Sequence, residues 1–498
     1  MITKVFGPPG TGKTTYLLNR VEQELETVHP SRIGYFSFTR KAANEARDRA
    51  VTKFPRLNPD TDFPWFRTLH SLAYRCLGVK AQEMLGPKEY AEFARQVGLE
   101  ISVSSDGDEF ITRADNVILN AINIARIRGQ DLHTYYNSSS LGIEWFHFEY
   151  VERSYRQFKR DKMLYDFTDL LELIVESPDL LPRLEVLIID EAQDLSPLQW
   201  KLVSQLAERA DRTFIAGDDD QAVYTWAGAD VDSFLTCPGE IVVLNRSYRV
   251  PSSVHTLASN VVSRIQHRQP KTWRPRAEEG AVEWYQDFHD VDVTDGGWLI
   301  LAAAHYLLED VYTWLKAQGL LFERHGQRSI SDAVLSAVIG WERLRSGRSV
   351  PASVVQQVYK HLGPDHVRRG FRALKAIDPE GLYTAADLIK DHGLVSVEDP
   401  WFDALTKIGE ERRDYIRAVL RRGVKLGDRP RINVSTIHGA KGGEADNVLL
   451  LTDLSPKFAA DYAVNADDIH RLLYVGITRA RQALHLVRPK RDDRGFRL

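Results

Sequence analysis

Residues 7 to 15 read GPPGTGKTT, and Gly7, Gly10, Gly12, Lys13 and Thr14 fill the spacing G-x-x-x-x-G-K-[ST]. Glycines without a Cβ let successive backbone N–H groups turn inward and form a nest for phosphate oxygens. Lys13 is placed to neutralise the β and γ phosphates, and Thr14 to offer its hydroxyl to Mg²⁺. Pro8, Pro9, Thr11 and Thr15 complete the cradle. A helix starting just after it points the positive end of its dipole at the anion. A second chemical signal is Asp190-Glu191 at the end of LEVLIID. One carboxylate at that place can hold Mg²⁺, and the next can orient and deprotonate an attacking water. A third is GDDDQAVYTWAGAD, in which Gln221 is placed to sense a γ-phosphate and Tyr224 and Trp226 follow in a Gly- and Asp-rich loop. Those two rings suit base stacking or a place in the core. ATP or GTP with Mg²⁺ is the implied ligand, which leaves kinases, switches, transporters and motors all open.

The elements that must position these groups follow from the flanking patterns. ITKVF reads as a short strand, and TTYLLNRVEQEL carries apolar residues at helical spacing. Val186 to Ile189 form a continuous apolar run, as expected of a strand buried on both faces, and TFIAG reads the same way.

The 498 residues suffice for two to four domains, with 43% hydrophobic and 27% charged residues as in a globular protein. No apolar run reaches the length of a membrane span, and a cytoplasmic location is expected. Cys76 and Cys237 are too few and too far apart for a zinc site, an iron–sulphur cluster or a disulfide framework. The net charge of −4 means that any nucleic-acid surface must be a local channel.

DEAQD, GDDDQAVYTWAGA, LNRSYR, VSTIHGAKGGE and YVGITRAR, in that order, resemble motifs II to VI of the UvrD/Rep/PcrA family of superfamily 1A DNA helicases. FSFTRKAANEA and TLHSLAYR are similar to its motifs Ia and Ib, so that the resemblance covers residues 1 to 80, 160 to 250 and 430 to 487. It implies an α/β fold of two RecA-like, parallel-sheet P-loop lobes with mainly helical inserted 1B and 2B subdomains. The expected division is lobe 1A at 1–80 and 160–240, insertion 1B at 81–159, lobe 2A at 241–330 and 430–498, and a reduced 2B-like insertion at 331–429. In that family two lobes clamp ATP and walk along single-stranded DNA. The resemblance assigns catalysis to Lys13, Asp190, Glu191 and Gln221 with the arginine fingers Arg249 and Arg479. It assigns metal binding to Thr14 and Asp190, adenine stacking to Tyr248, and a ribose hydrogen bond to Glu444. DNA contacts fall on Phe38, Thr39, Arg40, His70, Tyr224, Trp226 and Thr436. Plainer uses stay open: a core position for Phe38 after the YFSF alternation, an ordinary hydrogen-bonded role for His70, a strand-end core ring for Tyr248, and a solvated helix start for Glu444.

Two features depart from the family pattern. Only six residues precede Gly7, where relatives carry a glutamine segment that reads the adenine edge, so other nucleoside triphosphates are expected to be accepted. Ala227 stands where relatives commonly have arginine, which removes one cation and loosens coupling. The expected function is that of an ATP- and Mg²⁺-dependent single-stranded DNA translocase and 3′ to 5′ helicase. It would act on single strands and single-strand/duplex junctions, with replication or repair proteins as partners. A protein-displacement or DNA-remodelling factor with weak unwinding is the alternative. A P-loop switch or small-molecule kinase would leave Trp226, Arg249 and Arg479 unused.

Overall fold

The computed structural model describes residues 1–498 apart from 38, 39, 59, 60, 102, 105–112, 115, 140, 325, 375 and 376. The chain divides into two compact units, Met1–Glu279 with Val464–Tyr474, and Gly280–Ala463 with Val475–Leu498.

Among the described residues of the first unit, the main sheet is built from β1 (Ile2–Phe6), β2 (Ile33–Ser37), β3 (Phe66–Arg67), β4 (Val186–Asp190), β5 (Arg212–Gly217) and β6 (Glu240–Val243). They are parallel and ordered β3-β2-β4-β5-β1-β6. Every residue of β4 is buried, as its uninterrupted apolar run predicts. Period-2 alternation sorts the strand between two cores. Val186 and Ile188 pack with Tyr35 and with Leu17, Leu18 and Val21 of helix α1 (Lys13–Glu24). Leu187 and Ile189 pack on the other face with Phe6, Leu202 and Phe234. Asp190, two residues beyond Ile188, therefore emerges on the α1 face at the strand's C-terminal edge, where α/β sheets bind ligands.

Helices Pro87–Val97, Val117–Ile127, Leu132–Ser138 and Trp145–Lys162 share a separate small core around Phe93, Ile122, Phe148 and Phe158. The helical composition expected of residues 81 to 159 is present there. The residues from 241 to 279 group with the first unit, β6 pairing with β1.

The second unit holds another largely parallel sheet: β7 (Ala281–Tyr285), β8 (Trp298–Ala302), β9 (Phe322–Arg324), β10 (Gln327–Arg328), β11 (Ile432–Thr436), β12 (Ala445–Leu451) and β13 (Ala480–Val487). The order is β10-β9-β11-β8-β12-β13-β7, with only the β9–β10 pair antiparallel among the described residues. Fully buried β8 lies near its centre. Helices Asp332–Arg345, Ala352–His361 and Glu410–Arg421 join the core of this sheet in a single cluster through Val338, Trp341, Val355 and Ile416. The stretch 331–429 thus shares its hydrophobic core with the sheet that flanks it in sequence. Two large parallel sheets with helices around them make the α/β class an observed one. Among the described residues, no helix is long and apolar enough to cross a membrane.

Candidate nucleotide and nucleic-acid site

The loop between β1 and α1 turns through two left-handed glycines, Gly10 at φ 70° and Gly12 at φ 78°. Gly12 is the N-cap of α1, and no side chain caps that helix end. Ser, Thr or Asp ordinarily occupies such a position, and a side-chain oxygen there would compete with an incoming phosphate for the first-turn amides. Gly10 answers a second demand. A Cβ on it would lie 2.3 Å from the Arg249 Cβ and 2.9 Å from Ser247 Oγ. The segment Ser247–Arg249 rests directly on the loop: Ser247 Oγ donates to the Pro9 carbonyl at 2.7 Å, and the Tyr248 N–H donates to the Gly10 carbonyl at 2.8 Å. Thr11 Oγ1 closes the loop on the Pro8 carbonyl at 2.8 Å. Lys13 donates to the Gly7 carbonyl at 3.0 Å, and its ammonium lies 3.8 Å from Glu191.

The two carboxylates diverge because of their backbone. Asp190 is the last residue of β4 and is 2% exposed. Glu191 adopts φ 56°, a left-handed conformation that costs a non-glycine residue roughly 1 kcal/mol. Tyr35, on the same face of neighbouring β2, donates its hydroxyl to Asp190 Oδ2 at 2.7 Å, and Thr14 Oγ1 lies 3.4 Å from that oxygen. Burial, followed by repulsion from Glu191, pushes the Asp190 carboxyl up to about 6, against the opposing pull of Lys13 and the Tyr35 hydrogen bond. Gln193, fully buried, donates to Glu191 Oε2 at 2.7 Å and accepts from the Asp218 N–H at 2.9 Å, tying Glu191 to the exit of β5.

This donor set fits a magnesium nucleotide. Thr14 and Asp190 present hard oxygen ligands close together, the donor type that a magnesium ion takes. The uncapped α1 terminus and the glycine nest suit the phosphates.

Gln221, buried, donates Nε2 to Asp218 Oδ2 at 2.7 Å. The 3₁₀ turn Thr225–Ala227 begins four residues later, ends at Gly228 (φ 95°), and carries Trp226 with 43% of its surface exposed. Tyr224 is half-buried, its ring 6.5 Å from that of Trp226. Tyr248 is 66% exposed, with the Arg246 guanidinium 5.5 Å from its ring centroid, so the strand-end core position open to it in sequence is not the one it takes. Phe38 and Thr39 lie outside the described residues. Arg40 opens helix Arg40–Lys53, and its side chain is outside the described set.

In the second unit, Thr436 ends β11, is buried and accepts from the Gly439 N–H at 3.1 Å. Arg479 is 1% exposed and donates to the carbonyls of Val475 at 3.0 Å and Gly443 at 3.2 Å. Glu444 pairs with Arg481 at 2.8 Å.

His70 is half-buried on helix Leu69–Leu77, edge-on to Phe167 at 6.2 Å. Burial lowers it to about 4, with Asp166 pulling the other way, so the imidazole is neutral at pH 7. The unfolded chain, with His near 6.5, takes up this proton first as pH falls, and stability is lost progressively from about 6.5 down to about 4. Between pH 7.5 and 5 this one group accounts for a loss of about 2 kcal/mol. Urea unfolding at the two pH values should show His70→Gln losing that much less than wild type, and an equal loss in both would reject the shift.

Tyr35, Gln193 and Ser247 were not among the residues that motif spacing picked out. Ser247 and Gln193 had a sequence signal, their positions inside LNRSYR and DEAQD; Tyr35 looks like an ordinary strand aromatic.

The parallel sheet, the glycine loop at the β1–α1 junction and the carboxylate at the β4 edge define a P-loop nucleotide-binding α/β protein. Residues 2–240 match the UvrD/REP helicase N-terminal domain and residues 416–490 the UvrD-like helicase C-terminal domain. The chain belongs to the UvrD/Rep helicase family. It is 24% identical over 363 residues to ATP-dependent DNA helicase PcrA of Bacillus subtilis (strain 168), covering 67% of this chain and 47% of that protein. It is 26% identical over 341 residues to DNA helicase II of Escherichia coli (strain K12), covering 64% and 45%. The chain spans about half the length of the curated relatives it matches.

Proposed function

We propose that the protein is an ATP- and Mg²⁺-dependent DNA helicase that translocates 3′ to 5′ along single-stranded DNA, acting at single-strand/duplex junctions in the cytoplasm alongside replication or repair proteins. The observation that carries this reading is the short connection between Gln221, buried beside Asp218, and an exposed aromatic turn in which Trp226, five residues on, has 43% of its surface exposed. A switch or a small-molecule kinase has no use for that turn.

Each residue of this chain has one task in the reading. The glycine loop and the α1 terminus bind the phosphates, with Lys13 neutralising the β and γ groups. Thr14 and Asp190 hold Mg²⁺, which supplies charge neutralisation on the phosphate oxygens. Glu191, held by Gln193, accepts the proton of the attacking water. Gln221 orients the γ-phosphate, and Arg249 and Arg479 stabilise the charge that spreads over its oxygens. Tyr248 stacks on the base and Glu444 binds the ribose. Residues 1–80 and 160–240 act as lobe 1A, 81–159 as insertion 1B, 241–330 and 430–498 as lobe 2A, and 331–429 as the 2B-like insertion. Trp226 and Tyr224 stack on DNA bases without regard to sequence, since every base has a π-face. Phe38, Thr39, Arg40, His70 and Thr436 make the remaining DNA contacts.

Stopped-flow translocation on oligothymidylates of increasing length, with a dye at the 5′ or the 3′ end, tests this. A delay that grows with length for the 5′ dye alone is expected. Trp226→Ala, losing stacking of ~1–3 kcal/mol, should weaken oligonucleotide binding by roughly tenfold or more. A length-independent signal at both ends, or wild-type behaviour of Trp226→Ala, goes against the reading. A remodelling factor would translocate in this assay and fail to separate a duplex.

A further inference from the structure

The three consecutive carboxylates that follow β5 are the most deeply buried charges near the site: Asp218 and Asp219 are 0% exposed and Asp220 is 1% exposed. Three isolated anions there would cost far more than folding can offset. They are held by cations from the chain that follows helix Ser252–Val262. Lys271, itself 1% exposed, contacts Asp218 at 3.2 Å and Asp220 at 2.8 Å and makes a shorter contact with Asp219. Arg268 grips both oxygens of Asp220, at 2.7 and 2.6 Å. Asp219 also accepts from the Gln269 N–H at 2.8 Å. A cation already fills the space among these carboxylates.

The cluster extends in two directions. On one side Asp218 Oδ2 accepts from Gln221 Nε2 at 2.7 Å. On the other, Arg471 donates Nε to the Asp219 carbonyl at 3.1 Å and Nη2 to the His267 carbonyl at 2.6 Å, while its Nη1 lies 3.2 Å from Asp468 Oδ1. The second oxygen of Asp468 accepts from Thr225 Oγ1 at 2.9 Å. Thr225 is the residue before Trp226.

We infer that Lys271, Arg471 and Asp468 are positioning residues: they fix Gln221 and the Thr225–Ala227 turn to one buried ionic cluster, so that a base at Trp226 and a phosphate at Gln221 bias the same element. The inference rests on the proposed function, since it assigns Gln221 and Trp226 the roles given there. Three covalently successive residues, Ala222 to Tyr224, also join the two ends, but they do not fix where the pair sits. The ion pairs do so, beside Arg128, which donates to the Thr225 carbonyl at 2.9 Å, and a buried network shared by both ends is the kind of element that two ligands can shift together. The Thr225 hydroxyl is a neutral, half-buried donor, and its bond is a link that a substitution can remove without taking the partner from a fully buried charge.

That makes it the residue to test, because removing Lys271 would take the ion pair from buried Asp218 and Asp219 and threaten folding. Thr225→Val keeps the shape and deletes the donor; Thr225→Ser keeps the donor; Asp468→Asn keeps the shape and deletes the charge. Three quantities are read for each: ATP turnover without DNA, its increase with saturating oligothymidylate, and the affinity for fluorescein-labelled oligothymidylate with and without the non-hydrolysable analogue AMP-PNP. For Thr225→Val, DNA-free turnover and nucleotide-free DNA affinity are expected within about twofold of wild type, with the DNA-dependent increase falling about tenfold and the AMP-PNP effect on DNA affinity lost. Asp468→Asn should follow it, and Thr225→Ser should restore both quantities. Retention of the wild-type increase and AMP-PNP effect in Thr225→Val overturns the inference, as does a serine variant no better than valine. A wild-type protein whose turnover ignores DNA overturns the proposed function itself, and the inference with it.

Discussion

Glu191→Gln is expected to bind ATP with a KM within about threefold of wild type and to lose turnover by about a thousandfold. The substitution keeps the hydrogen-bonding shape that Gln193 holds at 2.7 Å but removes the basicity needed to take a proton from water. It also removes one of the charges that push Asp190 up to about 6, so magnesium affinity should fall by no more than a few-fold while the ligands Thr14 and Asp190 remain. A thousandfold loss in kcat beside at most a few-fold loss in magnesium or nucleotide affinity therefore separates a base from a metal ligand. Steady-state hydrolysis with a magnesium titration checks it. Turnover within tenfold of wild type would remove Glu191 from the chemistry.

Arg249→Ala should show a comparable separation with a loss of about a thousandfold, the lower end of what a guanidinium at the phosphoryl group contributes. Its backbone is fixed: the Arg249 N–H donates to Ser247 Oγ at 3.3 Å, that hydroxyl donates to the Pro9 carbonyl, and the Arg249 Cβ approaches Gly10 where no other residue fits. Alanine keeps the Cβ and hence this docking, so the loop should stay folded while the charge is lost. Isothermal titration with AMP-PNP should then give an affinity within a few-fold of wild type beside the collapse in kcat. Equal losses in affinity and turnover would mean that Arg249 serves ground-state binding.

Much of this site was legible before any coordinates. The glycine loop has a fixed local spacing, and VLII before Asp190 has no polar interruption, so both the cradle and the buried strand follow from short-range pattern. Strand period 2 then puts Asp190 on the face of Ile188 and α1. What was not legible is everything joined across long separations. Tyr35 meets Asp190 from 155 residues away, and Ser247 meets Pro9 from 238. Lys271 reads as one cation among 65 Lys and Arg until the fold places it among three carboxylates. The stretch 331–429 stands apart in sequence yet shares one core with the neighbouring sheet, because Trp341 and Ile416 bury themselves with Ile300 and Val434. Tyr248 shows the opposite limit. An aromatic after a strand suits a core or a stacking platform equally by pattern, and only its 66% exposure takes it out of the core.

The central claim is that nucleotide hydrolysis at the P-loop is coupled to single-stranded DNA. Steady-state ATP turnover measured across an oligothymidylate titration tests it most directly. The account predicts low turnover without DNA and a saturable rise of at least about tenfold with it, corresponding to a barrier lowered by ~1.4 kcal/mol. Turnover that stays flat from zero to saturating oligonucleotide would contradict it.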